Sequence, residues 1–193
     1  MQIKKPPFWQ DINLISIFLY PISLITSLVN FLKNLDAKKK FNIKSICVGN
    51  IYVGGTGKTP LSIKIREILK NKFKIVFIKK KYSNQSDEQN LLKKRGKLIC
   101  SENRSVGLKM AIRQKFDLAI LDDGLQEKTI KHDLTIACFN SSTKIGNGLL
   151  IPAGPLREQL SNLKYYDAVF LNGVKKDQMF SRKIKKINEN IKI

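Results

Sequence analysis

The sequence predicts an α/β fold: a doubly wound, mainly parallel sheet preceded by an amphipathic helix. Two observations carry the sheet. Short apolar runs alternate with helical patterns from Phe41 onward, and runs such as Leu118-Ala119-Ile120-Leu121 are apolar without a break, as strands covered on both faces are. A third carries the helix: Ile12 to Leu32 is apolar and uncharged, with its polar residues gathered on one side. With 193 residues the chain is long enough for one domain with a real core and an appendage. The expected division is residues 1–40 for the helical segment and 41–193 for the α/β domain.

The segment opens with Lys4-Lys5-Pro6-Pro7-Phe8-Trp9. Wound at about 100° per residue, Asn13, Ser16, Ser23, Thr26, Ser27, Asn30 and Asn34 fall within one arc and leave a broad apolar face opposite. Lys33 and Lys38-Lys39-Lys40 flank the end, where they can meet anionic headgroups. Pro21 is expected to kink or break the helix. This pattern reads as a helix lying in an anionic membrane surface. A spanning helix and a core helix docked on the sheet are the alternatives. A cleaved signal peptide fits poorly, because the run is too long and no small-residue cleavage site ends it.

Within the α/β region, Ile46–Val48 is the first strand and Pro60–Leu69 the helix after it. Phe73–Ile78 and Leu98–Cys100 follow as strands, then Val106–Ile112 as helix, then Leu118–Leu121, Leu134–Phe139 and Ala168–Leu171 as strands. Between the first strand and the first helix lies Val53-Gly54-Gly55-Thr56-Gly57-Lys58-Thr59-Pro60. Glycines let backbone N–H groups turn inward around phosphate oxygens, and a helix N-terminus adds unpaired donors and a positive dipole end. Lys58 suits the β- and γ-phosphates of ATP, and the Thr59 hydroxyl suits Mg²⁺. The fold expected is therefore P-loop NTPase-like, with ATP and Mg²⁺ as cofactors. One position departs from the strict pattern: Tyr52 stands where the first glycine belongs. The competing reading of the stretch is a glycine-rich connecting turn.

Downstream, Leu118–Leu121 ends in Asp122-Asp123-Gly124-Leu125-Gln126. In such folds an acid-ended strand beside the phosphate-loop strand aims its carboxylate at the metal, so Asp122 and Asp123 are candidates, Asp122 with Thr59 as metal ligands. Adjacent acids on an extended chain point to opposite sides, which would give the two different tasks. Asp87-Glu88, by spacing alone, is helix N-terminal charge. Asn147 and Arg157 belong to a glycine- and proline-dense stretch, Gly146 to Glu158, that leaves Arg157 free to meet a phosphate or to hold the loop together.

Cys47, Cys100 and Cys138 show no metal-binding spacing and fit a reducing compartment; His132 is the only histidine. The net charge of +21 points to an anionic partner without choosing one. Nucleic acid is not expected, since neither aromatic stacking motifs nor a recognition helix accompanies the charge.

Taken together, Pro-Pro-Phe-Trp with its apolar helix, Val-Gly-Asn…Val-Gly-Gly-Thr-Gly-Lys-Thr-Pro, Leu-Asp-Asp-Gly-Leu-Gln and Gly-Asn-Gly…Leu-Ile-Pro-Ala-Gly-Pro-Leu-Arg-Glu resemble the tetraacyldisaccharide 4'-kinase family of lipid A biosynthesis. The resemblance covers essentially the whole chain. It implies an enzyme that transfers the γ-phosphate of ATP to the 4'-hydroxyl of a tetraacyl glucosamine disaccharide 1-phosphate. It also implies that Gly54 to Thr59 hold ATP–Mg²⁺, that Asp122 and Asp123 serve the metal and phosphate region, and that Asp87 is the catalytic acid–base. The N-terminal helix would then be a monotopic anchor on the cytoplasmic face of the bacterial inner membrane, with the lipid A precursor as partner.

Several positions depart from the family pattern. Lys79-Lys80-Lys81-Tyr82-Ser83-Asn84 stands for the usual Ser-Arg-Gly-Tyr-Gly-Gly, only the two acids remain of Gly-Asp-Glu-Pro, and Glu127 replaces a histidine. The family also continues into a second half with a histidine that partners the catalytic aspartate, so a fragment or a reduced homologue is expected. A rival from another class is a membrane-surface P-loop ATPase switch without a small-molecule acceptor, which does not call for the Pro-Ala-Gly-Pro-Leu-Arg-Glu segment.

Overall fold

Apolar runs become strands and the segments between them become helices, in the order that the alternation implies. A computed structural model describes residues 5–81, 86–173 and 177–193. Tyr82, Ser83 and Asn84 lie outside the described residues. The chain runs α1 (Leu14–Asn34), β1 (Lys39–Lys40), β2 (Lys44–Gly49), α2 (Lys58–Leu69), β3 (Ile75–Lys80), α3 (Ser86–Arg95), β4 (Leu98–Ser101), α4 (Arg104–Arg113), β5 (Leu118–Asp122), β6 (Ile130–Lys131), β7 (Leu134–Asn140), β8 (Ala168–Asn172) and α5 (Gln178–Ile187). It forms two compact units, one of Ala37–Gly49 and Gly57–Ile136, the other of Met1–Asp36, Asn50–Thr56 and Ala137–Ile193.

In the first of these, parallel strands lie in the order β4-β3-β5-β2. The chain leaves β2 through α2, skips one position to form β3, moves outward to β4, and returns through α4 to fill the gap with β5. That return places β5 beside both β2 and β3. The strands are buried as their composition requires: Val48, Val76, Phe77, Ile78, Ala119, Ile120 and Leu121 have no exposure beyond traces. Helix α4 sits close to this layer at Gly107, where a Cβ would come within 2.7 Å of Ile78 Cγ2. A larger residue there would force the helix off the sheet.

Two helices differ from the expectations. Helix α2 begins at Lys58, two residues before Pro60, because a proline in the first turn lacks only an N–H that has no intrahelical partner anyway. Helix α3 runs over Ser86–Arg95, where the sequence indicates only helix N-terminal charge, at Asp87-Glu88. Asp87 and Glu88 lie in its first turn and Lys93, Lys94 and Arg95 in its last, matching the helix dipole at both ends.

The edge of this unit is closed by charge. Lys40 Nζ meets Asp133 Oδ1 at 2.5 Å, and the Ser45 amide donates to Asp133 Oδ2 at 2.9 Å. Next to Asp133, His132 Nδ1 lies 3.2 Å from Ser45 Oγ, while its Nε2 is buried without a hydrogen-bond partner. Burial, aided by the nearby Arg104 charge, pushes the imidazole down to about 4.

In the second unit, α1 turns its polar arc inward. Ser16 and Ser23 are buried. Asn13 and Ser16 cap the start reciprocally. Ser23 Oγ donates to the Leu150 carbonyl at 2.8 Å, Thr26 Oγ1 to the Ile151 carbonyl at 2.8 Å and Asn30 to the Arg157 carbonyl at 2.8 Å. The apolar residues face outward, with Leu14 84% and Phe18 82% exposed. Pro21 does not break the helix, which runs unbroken through it. The capping box before it and the Ser23 anchorage after it hold the turns on either side. Elsewhere in this unit β8 lies beside β7. Phe180 of α5 stacks edge-on against Phe139 at 5.4 Å between centroids.

The His132 environment gives a pH dependence. A folded value below the unfolded 6.5 means that the unfolded chain binds the proton more readily between pH 6.5 and 4, so stability is lost as pH falls through that window and is fully present above it. Urea unfolding of the chain and of His132→Phe should diverge by up to about 3 kcal/mol across the window. A stability difference between the two that does not change with pH would contradict this.

Candidate functional site

The parallel register pairs Asp122, the last residue of β5, with Val48 of β2. It therefore stands at the C-terminal end of the strands, where open α/β sheets gather their ligands. The Asp122 carboxylate has no exposure at all. Buried, it must be answered by donors, and three groups answer it. Thr59 Oγ1 lies 3.2 Å from Oδ2 and 3.4 Å from Oδ1, Ser62 Oγ lies 3.3 Å from Oδ1, and Lys79 Nζ lies 2.7 Å from Oδ2. Thr59 and Ser62 come from successive positions on one face of α2. Lys79 comes from the end of β3 and is 1% exposed.

The Lys79 ammonium also meets Glu88 Oε2 at 2.5 Å, and the other oxygen of Glu88 lies 3.7 Å from Lys58 Nζ. Two lysines and two carboxylates thus form one chain of contacts: Lys58, Glu88, Lys79, Asp122. Burial works against the charge on Lys79, but the Asp122 carboxylate, followed by Glu88, outweighs it and holds the ammonium above its ordinary value. Burial likewise opposes ionisation of Glu88, and the Lys79 hydrogen bond with the Lys58 charge overcomes it, leaving that carboxyl below its usual range.

The glycine loop takes the backbone conformations that its residues permit. Gly57 caps α2 with φ +85°, and its carbonyl accepts from the Leu61 amide at 3.0 Å. Gly54 has φ +117°, and a Cβ there would meet the Lys5 side chain at 2.7 Å. Around Gly55 a Cβ would touch nothing, so the loop is open to a ligand on that side. The Thr56 hydroxyl is buried without a hydrogen-bond partner. Val53, at the start of the loop, donates its amide to the Pro155 carbonyl at 2.9 Å.

Tyr52, the residue in place of the first glycine, is 1% exposed and packs with Leu150, Leu156 and Ile145. It bridges Leu156 in antiparallel fashion, and the Arg157 amide donates to the Ile51 carbonyl at 2.8 Å. The glycine- and proline-dense stretch is thus a brace for the first half of the loop.

The first-turn amides of α2 and the Lys58 ammonium fit a phosphate chain. For a metal, the described residues contain no cluster of three or more His, Cys, Asp and Glu side chains. The Thr59–Asp122 pair fits a cation that takes its remaining oxygens from phosphate and water, the usual habit of Mg²⁺.

The other candidates are placed as follows. Asp123 is half-buried and is not extended: its φ is +60°, its amide donates to the Val48 carbonyl at 2.8 Å, and its carbonyl accepts from Arg104. The alternation argument fails at this residue because β5 ends at Asp122 and the chain turns at once. Asp87 is exposed on the first turn of α3, next to Glu88. Pro60 is exposed on the first turn of α2. Asn147 donates to the Phe8 and Ala153 carbonyls at 3.1 and 2.9 Å and accepts from the Leu149 amide at 3.0 Å. The Arg157 backbone carbonyl is held by Asn30. Sequence reasoning missed Lys79, Ser62 and the bridging role of Glu88. The signals for them were a lysine run at the end of a strand and a hydroxyl one helical turn after Thr59.

Comparisons with known proteins bear on the family and fold of the chain as a whole. The model of the tetraacyldisaccharide-1-P 4'-kinase family matches residues 15–192. A tetraacyldisaccharide 4'-kinase of Pelagibacter ubique is 51% identical over 100% of this chain, which covers 63% of that protein. One of Rickettsia canadensis is 35% identical over 94% of this chain and 61% of its own length. A crystal structure of LpxK from Aquifex aeolicus in complex with ATP matches with a TM-score of 0.74 at 25% identity, over 82% of this chain and 59% of that one. The chain thus spans about three fifths of the length of these relatives. By the extent of these matches, it belongs to the tetraacyldisaccharide-1-P 4'-kinase family.

Proposed function

We propose that this chain carries the nucleotide-binding and catalytic part of a kinase that transfers the γ-phosphate of ATP to the 4'-hydroxyl of a tetraacyl glucosamine disaccharide 1-phosphate, a step of lipid A biosynthesis. The observation that carries the proposal is the Thr59 hydroxyl on the buried Asp122 carboxylate, one residue after Lys58 at the start of α2. Family membership supports the choice of acceptor.

In this reading Val53, Gly54, Gly55, Thr56, Gly57, Lys58, Thr59 and Pro60 form the nucleotide loop, and Thr59 with Asp122 would hold Mg²⁺. The metal, when bound, neutralises charge that develops between the phosphoryl groups. Lys58 supplies a fixed positive charge to the β- and γ-phosphates, and the first-turn amides of α2 add their dipole. Asp123 fixes the turn after β5 and contributes negative charge beside the metal ligand. Asp87 accepts or orients the proton of the sugar hydroxyl. Arg157 offers a guanidinium to the substrate phosphate, and Asn147 serves the same side by holding the loop's shape. Phosphoryl transfer asks little covalent chemistry of the protein, so positioning and charge account for most of the rate.

The apolar face of α1 supports a further part of the proposal. The helix is 21 residues long, an 18-residue stretch of it has a mean hydropathy of 1.9, and it is long and apolar enough to cross a membrane, although its inward polar arc and exposed apolar face suit the plane of the surface better. Residues 1–40 then act as a monotopic anchor on the cytoplasmic face of the bacterial inner membrane, and residues 41–193 as the kinase-like domain. The basic balance of the chain favours an anionic surface.

Three measurements test these assignments. Lys58→Ala is expected to abolish transfer from labelled ATP to the disaccharide lipid with the circular dichroism spectrum unchanged; retained lipid phosphorylation would refute the loop's role. Asp87→Ala should slow turnover by about 10²–10⁴-fold, the range for loss of a general base, while ATP affinity stays within a few-fold. An unaffected rate would remove Asp87 from the mechanism. Leu14→Glu with Phe18→Glu should cut co-sedimentation with phosphatidylglycerol vesicles by about 10-fold or more, from the loss of two inserted apolar side chains. Undiminished sedimentation would show that α1 does not touch the bilayer.

A further inference from the structure

A buried ammonium is costly unless paired, and a buried ion pair is seldom needed for stability, since apolar residues of similar volume do as well. Lys79 is nonetheless 1% exposed and paired twice, and none of the steps above uses it. Its two partners are informative. One is Asp122, through the oxygen that Thr59 also approaches. The other is Glu88, which also reaches Lys58. Lys79 therefore joins the carboxylate assigned to the metal and the lysine assigned to the phosphates.

The two carboxylates differ in how firmly they are held. Asp122 is fully buried and has three donor groups, whereas Glu88 is 39% exposed at the start of a helix. An incoming anion can displace Glu88 into water, but Lys79 stays anchored to Asp122. An ammonium is a compact point charge with donors free to rotate, well suited to a phosphate oxygen.

We propose that Lys79 is a built-in cation of the phosphate site, which makes binding of a nucleoside triphosphate by this chain largely independent of divalent metal, and that Glu88 is the carboxylate the phosphate displaces from the two lysines. The inference rests on the nucleotide-binding reading above. It adds a second phosphate-binding cation, and it gives Glu88 the part of an internal anion that holds both lysines in place before the ligand arrives.

The test is titration of the full chain with a fluorescent ATP analogue, in excess Mg²⁺ and in EDTA. The wild-type affinity should weaken by less than about 5-fold in EDTA, whereas Lys79→Met should lose about 10-fold or more there, the size of one charge-assisted hydrogen bond. Lys79→Arg, which keeps the charge, should retain binding in EDTA. Glu88→Gln removes the competing anion and should tighten binding in EDTA by about 3-fold or more, as expected when a carboxylate no longer occupies the lysines. ATP binding that Lys79→Met leaves unchanged, or that Lys79→Arg weakens as much as Lys79→Met does, would overturn the proposal. Glu88→Gln decides the matter if the methionine variant does not fold: unchanged or weaker binding overturns it. A wild-type chain that binds the analogue in neither condition would overturn the nucleotide reading itself.

Discussion

A carboxylate with no access to water has to be satisfied from within, and Asp122 is the charge around which this site is arranged. Leaving such a group unpaired costs several kcal/mol, so its donors are structural requirements before they are catalytic ones. Each donor makes its own demand on the fold. Thr59 and Ser62 must lie on one face of α2, which follows from their spacing of three. Lys79 must come from the strand on the other side of β5, which requires β5 to lie between β2 and β3. The crossover that returns the chain through α4 into that gap supplies this arrangement. The order of the strands and the chemistry at their ends are thus one constraint seen twice.

The loop shows how a motif tolerates a missing glycine. A glycine at position 52 would be free to swing, whereas Tyr52 is clamped among Leu150, Leu156 and Ile145 and its neighbours hydrogen-bond to residues 155 and 157. A side chain that anchors the start of the loop replaces conformational freedom with preorganisation. The glycines kept are those with positive φ, Gly54 and Gly57, together with Gly55, where the surroundings are open.

Much of this was legible in the sequence, and the exceptions have physical reasons. Mostly apolar runs marked β2, β3, β5 and β7 to within two residues, since strands in a buried layer leave little room for polar side chains. The juxtaposition of Thr59 and Asp122 was legible because glycine-loop strands and acid-ended strands serve the same ion. The extents of helices α3 and α5 were not, because five of the ten residues of α3 and four of the ten of α5 are charged and leave little apolar periodicity to read; α5 buries only Phe180 and Ile184. Lys79 was hidden by its neighbours. In a run of three lysines each reads as surface charge, and only the pairing of β3 with β5 shows which of them is aimed at a buried acid. Asp123 was misjudged in geometry, because nothing in Asp-Asp-Gly announces that the first acid ends the strand and the second already turns.

The polarity of α1 follows from the needs of the segment it covers. Residues 145–159 pair only partly with one another, as where the Ile151 amide donates to the Leu156 carbonyl at 2.9 Å and the Gly154 amide to the Leu150 carbonyl at 2.9 Å, so their carbonyls take further donors from elsewhere. Ser23, Thr26 and Asn30 provide them, one for each of three carbonyls, at the spacing of successive turns. Trp9 adds a fourth, to the Pro152 carbonyl at 3.0 Å. Once the polar arc is committed inward, the helix has no freedom to hide its other side. Leu14, Phe18, Ile25 and Phe31 are then all more than half exposed, a stripe of apolar surface far larger than isolated surface residues account for. A helix recruited for its hydroxyls and amides is thereby obliged to present its hydrocarbon outward. The hydrogen-bonding needs of a loop decide which face is left for the membrane surface proposed here.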